Sequence, residues 1–377
     1  MAAADRAAAS TSGGRAIMID LDPGEELTLI QDTARKFATE ALNPAQRDFE
    51  AAREVAADIR AAFAEIGLGA LEIPEELGGA GLGAVAKVTV LEELAAGDAG
   101  SAIALDPLGA ALYAVSELGG DGAVEQYCLP LLEQDGARAV LVLADEATLD
   151  IGAGTVSGTI PWVPADRVDL LAILTREGAV LVTDGLALEK LKGSGLRAAG
   201  ASEIRLDNAP IAAAWQDKTG AARALARARL GAAALLCGVM RTACIYSREY
   251  AKDRVAFGKP IAHHQGLAFL IVEMNAALEG ARILTQEAAS RADQGRAFEV
   301  AAAQAFVEAA EQAAYIGPNA LQILGGPGFM ADLPVEKYMR ECRALGLLYG
   351  GIDRAREDIG QTYLDCDLPI QLTEYEA

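Results

Sequence analysis

Three segments toward the C-terminus combine residue types that can do chemistry. The first is Tyr250-Ala-Lys-Asp-Arg-Val-Ala-Phe-Gly-Lys-Pro-Ile-Ala-His-His-Gln265. It ends a long helix, turns at Gly258 and Pro260, and restarts near Ala262. The second is Gln322-Ile-Leu-Gly-Gly-Pro-Gly-Phe329. The third is Tyr338-Met-Arg-Glu-Cys-Arg-Ala-Leu-Gly-Leu-Leu-Tyr-Gly-Gly-Ile-Asp353. The planar guanidinium of Arg254 suits a pyrophosphate, and glycines such as Gly325 and Gly326 let a ligand approach the backbone closely. Each segment alone has a plainer reading. Phe-Gly-Lys-Pro-Ile is a helix–loop–helix turn, Gly-Gly-Pro-Gly is a helix stop, and Arg254 is a surface cation.

Other chemistries lack their parts. His263 and His264 are the two histidines of the 377-residue chain. Being adjacent, they do not share a helix face, so a metal pair is not expected. A Ser-His or Cys-His hydrolase has almost nothing from which to build its base. The five cysteines (Cys128, Cys237, Cys244, Cys342 and Cys366) are far apart and form no CxxC. Neither a disulfide framework nor a zinc site is suggested, and a cytoplasmic location is expected. With 54 Asp+Glu against 32 Lys+Arg the net charge is −22, which excludes the basic patch of a nucleic-acid binder. No uninterrupted apolar run reaches the ~18 residues that would span a bilayer, so no membrane partner is expected.

The elements that must position these segments follow from hydrophobic period. Residues 1–23 open with small and polar residues and no apolar signal core, and are read as a disordered tail. The pattern is then helical. Leu27, Leu29, Ile30, Ala34 and Phe37 recur at helical spacing, and Asn43-Pro44 is expected to stop that helix. A second helix is expected from Phe49 to Ile66, then an ordered glycine-rich loop over 67–83, then a helix through Leu91-Glu92-Glu93-Leu94. Near residue 137 the period shifts. Ala139–Leu143 reads as a buried strand, Leu170–Leu174 and Ala179–Thr183 as a hairpin, and Ile204–Asp207 as an edge strand ended by Ala209-Pro210. From Thr219 the segments are long and helical again, as in an antiparallel bundle. The expected fold is mainly α with an inserted β domain. It has a helical domain over 24–134, a β-barrel-like domain over 135–212 and a four-helix bundle over 213–377.

The three segments behind a β domain resemble the acyl-CoA dehydrogenase family. Gly67–Gly79, Glu92-Glu93-Leu-Ala-Ala-Gly-Asp98 and Asn208-Ala-Pro210 add to the resemblance, which covers roughly 24–365. It implies an FAD-dependent α,β-desaturation of an acyl-CoA thioester: a carboxylate removes a Cα proton while the flavin takes the Cβ hydride. It further implies a dimer of dimers with FAD across each dimer interface, and electron-transfer flavoprotein as acceptor. In the family the pyrophosphate and adenine end of FAD is held by the neighbouring subunit. The matching residues here are Arg254, Phe257, Gln265, Gln322, Gly325 and Gly326. His263 and His264 are expected to position that turn.

The other half departs from the family. The family's Thr-Glu-Pro loop and Gly-Ser-Asp, which cover the flavin ring and acyl chain, correspond to Leu143-Ala-Asp-Glu-Ala-Thr-Leu-Asp150, without the Pro or the Gly-Ser. Trp162 matches either the flavin-side Trp or an ordinary core residue. The family's catalytic Glu most often follows the residue matched by Tyr349, where this chain has Gly350; the later flavin-contacting Thr is Ile352. A minority place the Glu just before an Arg on an earlier helix; here that Arg is Arg229 and the base position is Ala228. No catalytic residue is therefore assigned.

The first reading is a subunit of a heteromeric α2β2 acyl-CoA dehydrogenase, whose homologous partner supplies the Glu. Such assemblies act on bulky substrates such as steroid side-chain thioesters. The second is a homomer with a displaced base, Asp353 or Glu341, or with non-redox chemistry. The third is a non-catalytic scaffold. CoA recognition leaves no compact signature here, and the acidic surface does not attract a polyanion at long range.

Overall fold

An Ala-rich chain with Leu, Glu and Arg at helical spacing favours helix, and here it builds two helical regions around a sheet. The structure is a computed structural model that describes residues 24–364. The tail expected over 1–23, and Cys366, lie outside the described residues. The N-terminal region comprises α1 (Gly24–Phe37), α2 (Asn43–Ala52), α3 (Ala57–Glu65), α4 (Ala84–Leu105), α5 (Ala111–Ala123) and the short α6 (Leu129–Leu132). Two expectations are corrected here. Asn43-Pro44 does not stop the chain: a π-turn over Ala38–Leu42 leads into α2, whose first turn holds Pro44. A missing N–H costs nothing there, because that donor has no partner in a helix's first turn. The Phe49–Ile66 helix is cut at Arg53, whose φ of 60° ends α2, and α3 starts only at Ala57. The glycine-rich stretch is an ordered loop, pinned by Gly81 N–H to Ile73 O and Leu82 N–H to Leu71 O, both at 2.8 Å.

Helix α4 is buried on nearly every side, which marks a helix in the middle of a core. Its carboxylates survive burial because they are paired. Glu93 meets Arg35 at 2.9 Å and Arg241 at 2.6 Å, and Glu92 meets Arg282 at 2.9 Å.

The sheet comprises β1 (Ala139–Leu143), β2 (Thr148–Ile151), β3 (Thr155–Val163), β4 (Leu170–Leu174), β5 (Gly178–Val182), β6 (Leu186–Lys190) and β7 (Ser202–Gln216). The order is β1-β4-β5-β7-β3-β2, with β6 also on β7. β1 and β4 run parallel; the other pairs are antiparallel. The β4–β5 hairpin forms as expected. Ile204–Asp207 is not an edge, and Ala209-Pro210 does not end it. β7 lies between β3 and β6 over its first half and pairs β5 over its second. Pro210 sits where the strand changes partners, a place where a ladder donor is dispensable. The sheet thus reaches Gln216, beyond the boundary expected at 212.

The C-terminal region comprises α7 (Lys218–Asp253), the two-residue strands β8 (Val255–Ala256) and β9 (Lys259–Pro260), α8 (Gln265–Asp293), α9 (Glu299–Leu324), α10 (Val335–Leu345) and α11 (Gly351–Leu364). Asp217 caps α7, accepting from Thr219 N–H at 3.0 Å. By length and composition α7 is apolar enough to cross a membrane, which a count of uninterrupted apolar residues misses. Most of it is buried in the fold, so its apolarity serves packing against α4, α8 and α9. Small residues permit a close approach: a Cβ on Gly238 would lie 2.3 Å from the Glu92 carbonyl oxygen.

Candidate functional site

At the end of α7, Arg254 closes the helix and its carbonyl accepts from Ile261 N–H at 2.8 Å, clasping the β8–β9 hairpin. The turn is Phe257 at φ 53° and Gly258 at φ 80°. Two consecutive positive φ values match the right-handed twist of a two-residue hairpin. Phe257 is held in a backbone region costly for a side-chain-bearing residue, yet its ring is 96% exposed. The ring meets His264 edge-on at 6.1 Å, and the His264 ring lies 3.2 Å from the Ala256 carbonyl. His264 therefore braces the turn, as expected from the sequence.

Helices α8 and α9 form an antiparallel hairpin in which the Tyr315 hydroxyl donates to Glu273 at 3.2 Å. Counting outward from that bond, Gln265 at the start of α8 and Gln322 at the end of α9 reach the same end of the bundle. Gly325 follows at φ 64°, and its N–H returns to the Gln322 carbonyl at 3.0 Å. A Cβ on Gly326 would meet nothing within 4 Å. Arg254, Phe257, Gln265 and Gln322 are all exposed. Phe269, Val272, Phe329 and Met330 add exposed apolar surface. A guanidinium, two carboxamides, an aromatic ring and open glycine backbone fit a dinucleotide that approaches from outside the chain.

The opposite half-site is different. Ala144–Glu146 forms a short 3-10 turn ahead of β2. Asp145 pairs with Arg354, which also meets Asp358 at 2.9 Å. Arg229, 3% exposed, bonds Asp358 at 2.8 Å and the Tyr349 carbonyl at 3.3 Å. The Glu146 carboxyl, on an exposed residue, lies near the Gly350 backbone, and partial desolvation raises its pKa. Gly350 itself has φ 91°, and a Cβ there would lie 2.7 Å from the Arg354 Cβ and Cγ. Ala228 is buried. Neither position matched to a base carries a carboxylate. Asp353 is exposed on α11, and Glu341 is buried and bonded to Lys337 at 2.6 Å. Trp162 is half-buried in β3 and lines an open cleft with Gly193, Gly195, Arg343 and Leu347.

Beside Gly350 a cleft of about 570 Å³ carries Arg176, Lys218, Arg229 and Arg354, offset by Asp145, Glu177, Glu299 and Asp358. The cations that the sequence could not place for CoA are thus matched one for one by carboxylates. Sequence reasoning missed two features. Glu146 was quoted only as part of an altered loop. Lys87, Asp106 and Arg138 meet in a cavity although they are far apart in the chain, and no spacing signals that.

A helical domain, an inserted sheet and a bundle with this dinucleotide-fitting end define a class, the flavin-dependent dehydrogenases built as helices, sheet and helix bundle. Residues 24–135 match the family model "Acyl-CoA dehydrogenase, N-terminal domain", and residues 219–364 match "Acyl-CoA dehydrogenase, C-terminal domain". The chain belongs to the acyl-CoA dehydrogenase family, whose members are FAD-dependent and act on a CH–CH bond. It is 30% identical over 357 residues to the mitochondrial short-chain specific acyl-CoA dehydrogenase of Bos taurus, covering 85% of this chain and 86% of that one. It is 29% identical to the acryloyl-CoA reductase (NADH) of Anaerotignum propionicum, covering 88% and 93%. The butyryl-CoA dehydrogenase structure of Megasphaera elsdenii superposes with a TM-score of 0.81 at 22% identity, covering 92% and 100%. A solved Tcur3481-Tcur3483 steroid ACAD superposes at 0.80 with 25% identity, covering 90% and 98%.

Proposed function

We propose that this chain is one subunit of a heteromeric FAD-dependent acyl-CoA dehydrogenase, an α2β2 assembly in which a homologous subunit supplies the catalytic Glu. The observation that carries this is Gly350. Where the family keeps its base, this backbone is in a glycine conformation and Arg354 fills the space of a side chain. The exposed end of the bundle supports the other half of the reading. Arg254 would hold the pyrophosphate of the partner's FAD, Phe257 would pack on its dinucleotide, and Gln265, Gln322 and the Gly325–Gly326 backbone would fix the adenine end. FAD, when bound, supplies the hydride acceptor. In this chain Arg254 neutralises phosphate charge, and the apolar surface of Phe257, Phe269 and Phe329 excludes water from the subunit contact. The substrate is an acyl-CoA thioester; the steroid ACAD neighbour supports a bulky one, and electron-transfer flavoprotein is the acceptor. The described cysteines are buried free thiols, which supports a cytoplasmic location.

The test is to purify the chain alone and together with an acyl-CoA dehydrogenase that retains the Glu. The complex is expected to hold FAD and to desaturate acyl-CoA, and the lone chain to do neither. Full flavin loading and turnover by the lone chain would sink the reading. Arg254→Met in the complex should lower flavin content without moving the unfolding midpoint of the chain. An unchanged flavin content would favour a scaffold. One observation favours a homomer instead, the place of the Glu146 carboxyl near Gly350. Glu146→Gln in an active lone chain, with turnover abolished, would establish that alternative.

A further inference from the structure

Helix α4 is broken at Asp98, whose φ of −167° and ψ of 114° leave the helix for a single residue. The Asp98 carboxylate caps the restarted half. The Ser101 hydroxyl donates to it, and so does the Ser101 N–H at 3.3 Å. That is the bond an N-cap makes to the third residue of a helix. The other carboxylate oxygen accepts from the Lys337 ammonium of α10. Lys337 also donates to Glu341, one turn further along α10, at 2.6 Å. The three side chains are at most 2% exposed. One ammonium thus serves two carboxyls away from water, and among the described residues no other cation pairs with either. With both ionised, the cluster would bury a net negative charge, which is costly. The two carboxyls contact one nitrogen and so lie within about 5 Å, near enough for each charge to disfavour the other. Asp98 has the Ser101 donors as well as Lys337, so the shared proton belongs to Glu341. Burial raises the Glu341 carboxyl, Lys337 offsets part of the rise, Asp98 adds to it, and the outcome is about 7.

The other groups around the cluster do not titrate near neutral pH. Tyr338 faces it beside Gln46 of α2, and Cys342 faces it beside Cys244 of α7. Helix α9 meets α10 through Gly317 and Met339. Burial raises Tyr338 and Cys244 to about 12 and raises Cys342 as well. Burial opposes the charge of Lys337, but its two carboxylates outweigh that and raise it. We propose that Asp98, Lys337 and Glu341 form a proton-operated latch that holds α10 on the break in α4, tight in acid and slack near neutral pH. Opening frees Glu341 to water, where it ionises as an ordinary carboxyl. Between about 4.5 and 7 the closed latch keeps a proton that the open one has lost. Opening therefore becomes easier by up to about tenfold per pH unit across that window. Above it both forms have lost the proton, and the change stops. Two parts of the molecule move with the latch. Helix α10 carries Met339 and Arg343 into the cleft beside Trp162 and ends just before the Leu348–Gly350 turn. The restarted half of α4 carries Ile103, whose carbonyl holds Arg138. The latch thus sets how firmly the half-site around Gly350 is held. The inference stands apart from the heteromeric reading, since it concerns packing within this chain.

Amide hydrogen exchange of the full chain, followed from about pH 5 to 8, tests this, because it reads local opening directly. Protection of α10 and of residues 99–105, corrected for the intrinsic pH dependence of exchange, should fall by up to about tenfold per unit until about pH 7 and then level. These amides should also exchange faster than the slowest amides of α9, which marks a local opening rather than unfolding of the whole chain. Glu341→Gln cannot lose a proton and should make the profile flat. If that variant does not fold, Asp98→Asn keeps a cap for Ser101 and removes the second charge, so the fall should shrink. A flat profile in the parent chain overturns the proposal. So does a fall that either folded variant leaves unchanged, or α10 amides as protected as the slowest of α9 at every pH.

Discussion

Restoring the family's base by Gly350→Glu should damage the chain rather than repair it. The cost arises before the carboxylate matters. A side-chain-bearing residue at φ 91° is strained by ~1–3 kcal/mol. Its Cβ would lie 2.7 Å from both Cβ and Cγ of Arg354, and relieving that overpacking costs ~1–3 kcal/mol more. Arg354 cannot swing away freely, because it is tied to Asp145 and Asp358. The new carboxylate would gain from Arg229, whose Nη2 is 3.5 Å from the built Cβ, but Glu146 already occupies the neighbourhood as a like charge. The expected loss is about 2–6 kcal/mol, by those two strain terms. Because the cost is carried by φ and Cβ, Gly350→Ala should lose nearly as much as Gly350→Glu. Adding Arg354→Gly should return the packing part and leave the backbone part. Urea unfolding of the full chain reads all four forms. A Gly350→Glu chain as stable as the parent, or a lone Gly350→Glu chain that loads flavin and turns over, would refute the reasoning.

Two further predictions rest on packing and charge. Lys337 is buried between Asp98 and Glu341, and desolvation beside a second carboxylate raises Glu341 from 4.5 to about 7. Between those pH values the folded chain keeps a proton that the unfolded chain has lost, so stability should fall as pH rises through that window. Glu341→Gln should flatten this slope in urea midpoints measured from pH 4.5 to 7; an unaltered slope would exclude Glu341 as its source. In α7, Gly238→Ala should destabilise by ~1–3 kcal/mol, because its Cβ meets the rigid Glu92 carbonyl. Gly231→Ala, whose Cβ meets only the Leu91 side chain at 3.4 Å, should stabilise by ~0.5–1 kcal/mol through helix propensity. The same sign for both would show that the approach of α4 is not the deciding factor.

Periodicity revealed the long elements because their burial is one-sided or complete. The Ala- and Leu-rich α7 and the β4–β5 hairpin are examples. It failed where the backbone overrides propensity. Arg53 leaves helix by a positive φ, and nothing in its residue type announces that. Pro210 reads as a strand end, but the strand changes partners there and continues. The hairpin of Arg254 to Ile261 was legible because Gly258 and Pro260 are turn residues. The closing of the other half-site was not, because Asp145, Arg229, Gly350 and Arg354 are distant in the chain and meet only through the sheet, α7 and α11. The Arg138 cavity is the extreme case. Arg138 heads an apolar strand and has no local pattern at all.

Backbone strain marks the two half-sites differently. Phe257 and Tyr349 both hold aromatic residues at φ 53°, at a cost of ~1–3 kcal/mol each. Such strain persists only where the surroundings over-determine it. At Tyr349 they do so within the chain: Arg229 bonds its carbonyl, and its ring lines a cavity between α4, α7 and β1. At Phe257 the chain supplies only the hairpin and one edge contact with His264, and the ring stands in solvent. A strained, exposed aromatic beside the free guanidinium of Arg254 is not explained by the stability of the single chain. It becomes intelligible when another subunit and its flavin cover it. The inward half-site is closed by its own side chains and has no carboxylate at either matched base position; the outward one keeps every residue matched to an FAD contact and leaves Arg254, Phe257, Gln265 and Gln322 exposed. That asymmetry is what supports the proposal that a homologous partner carries the missing carboxylate.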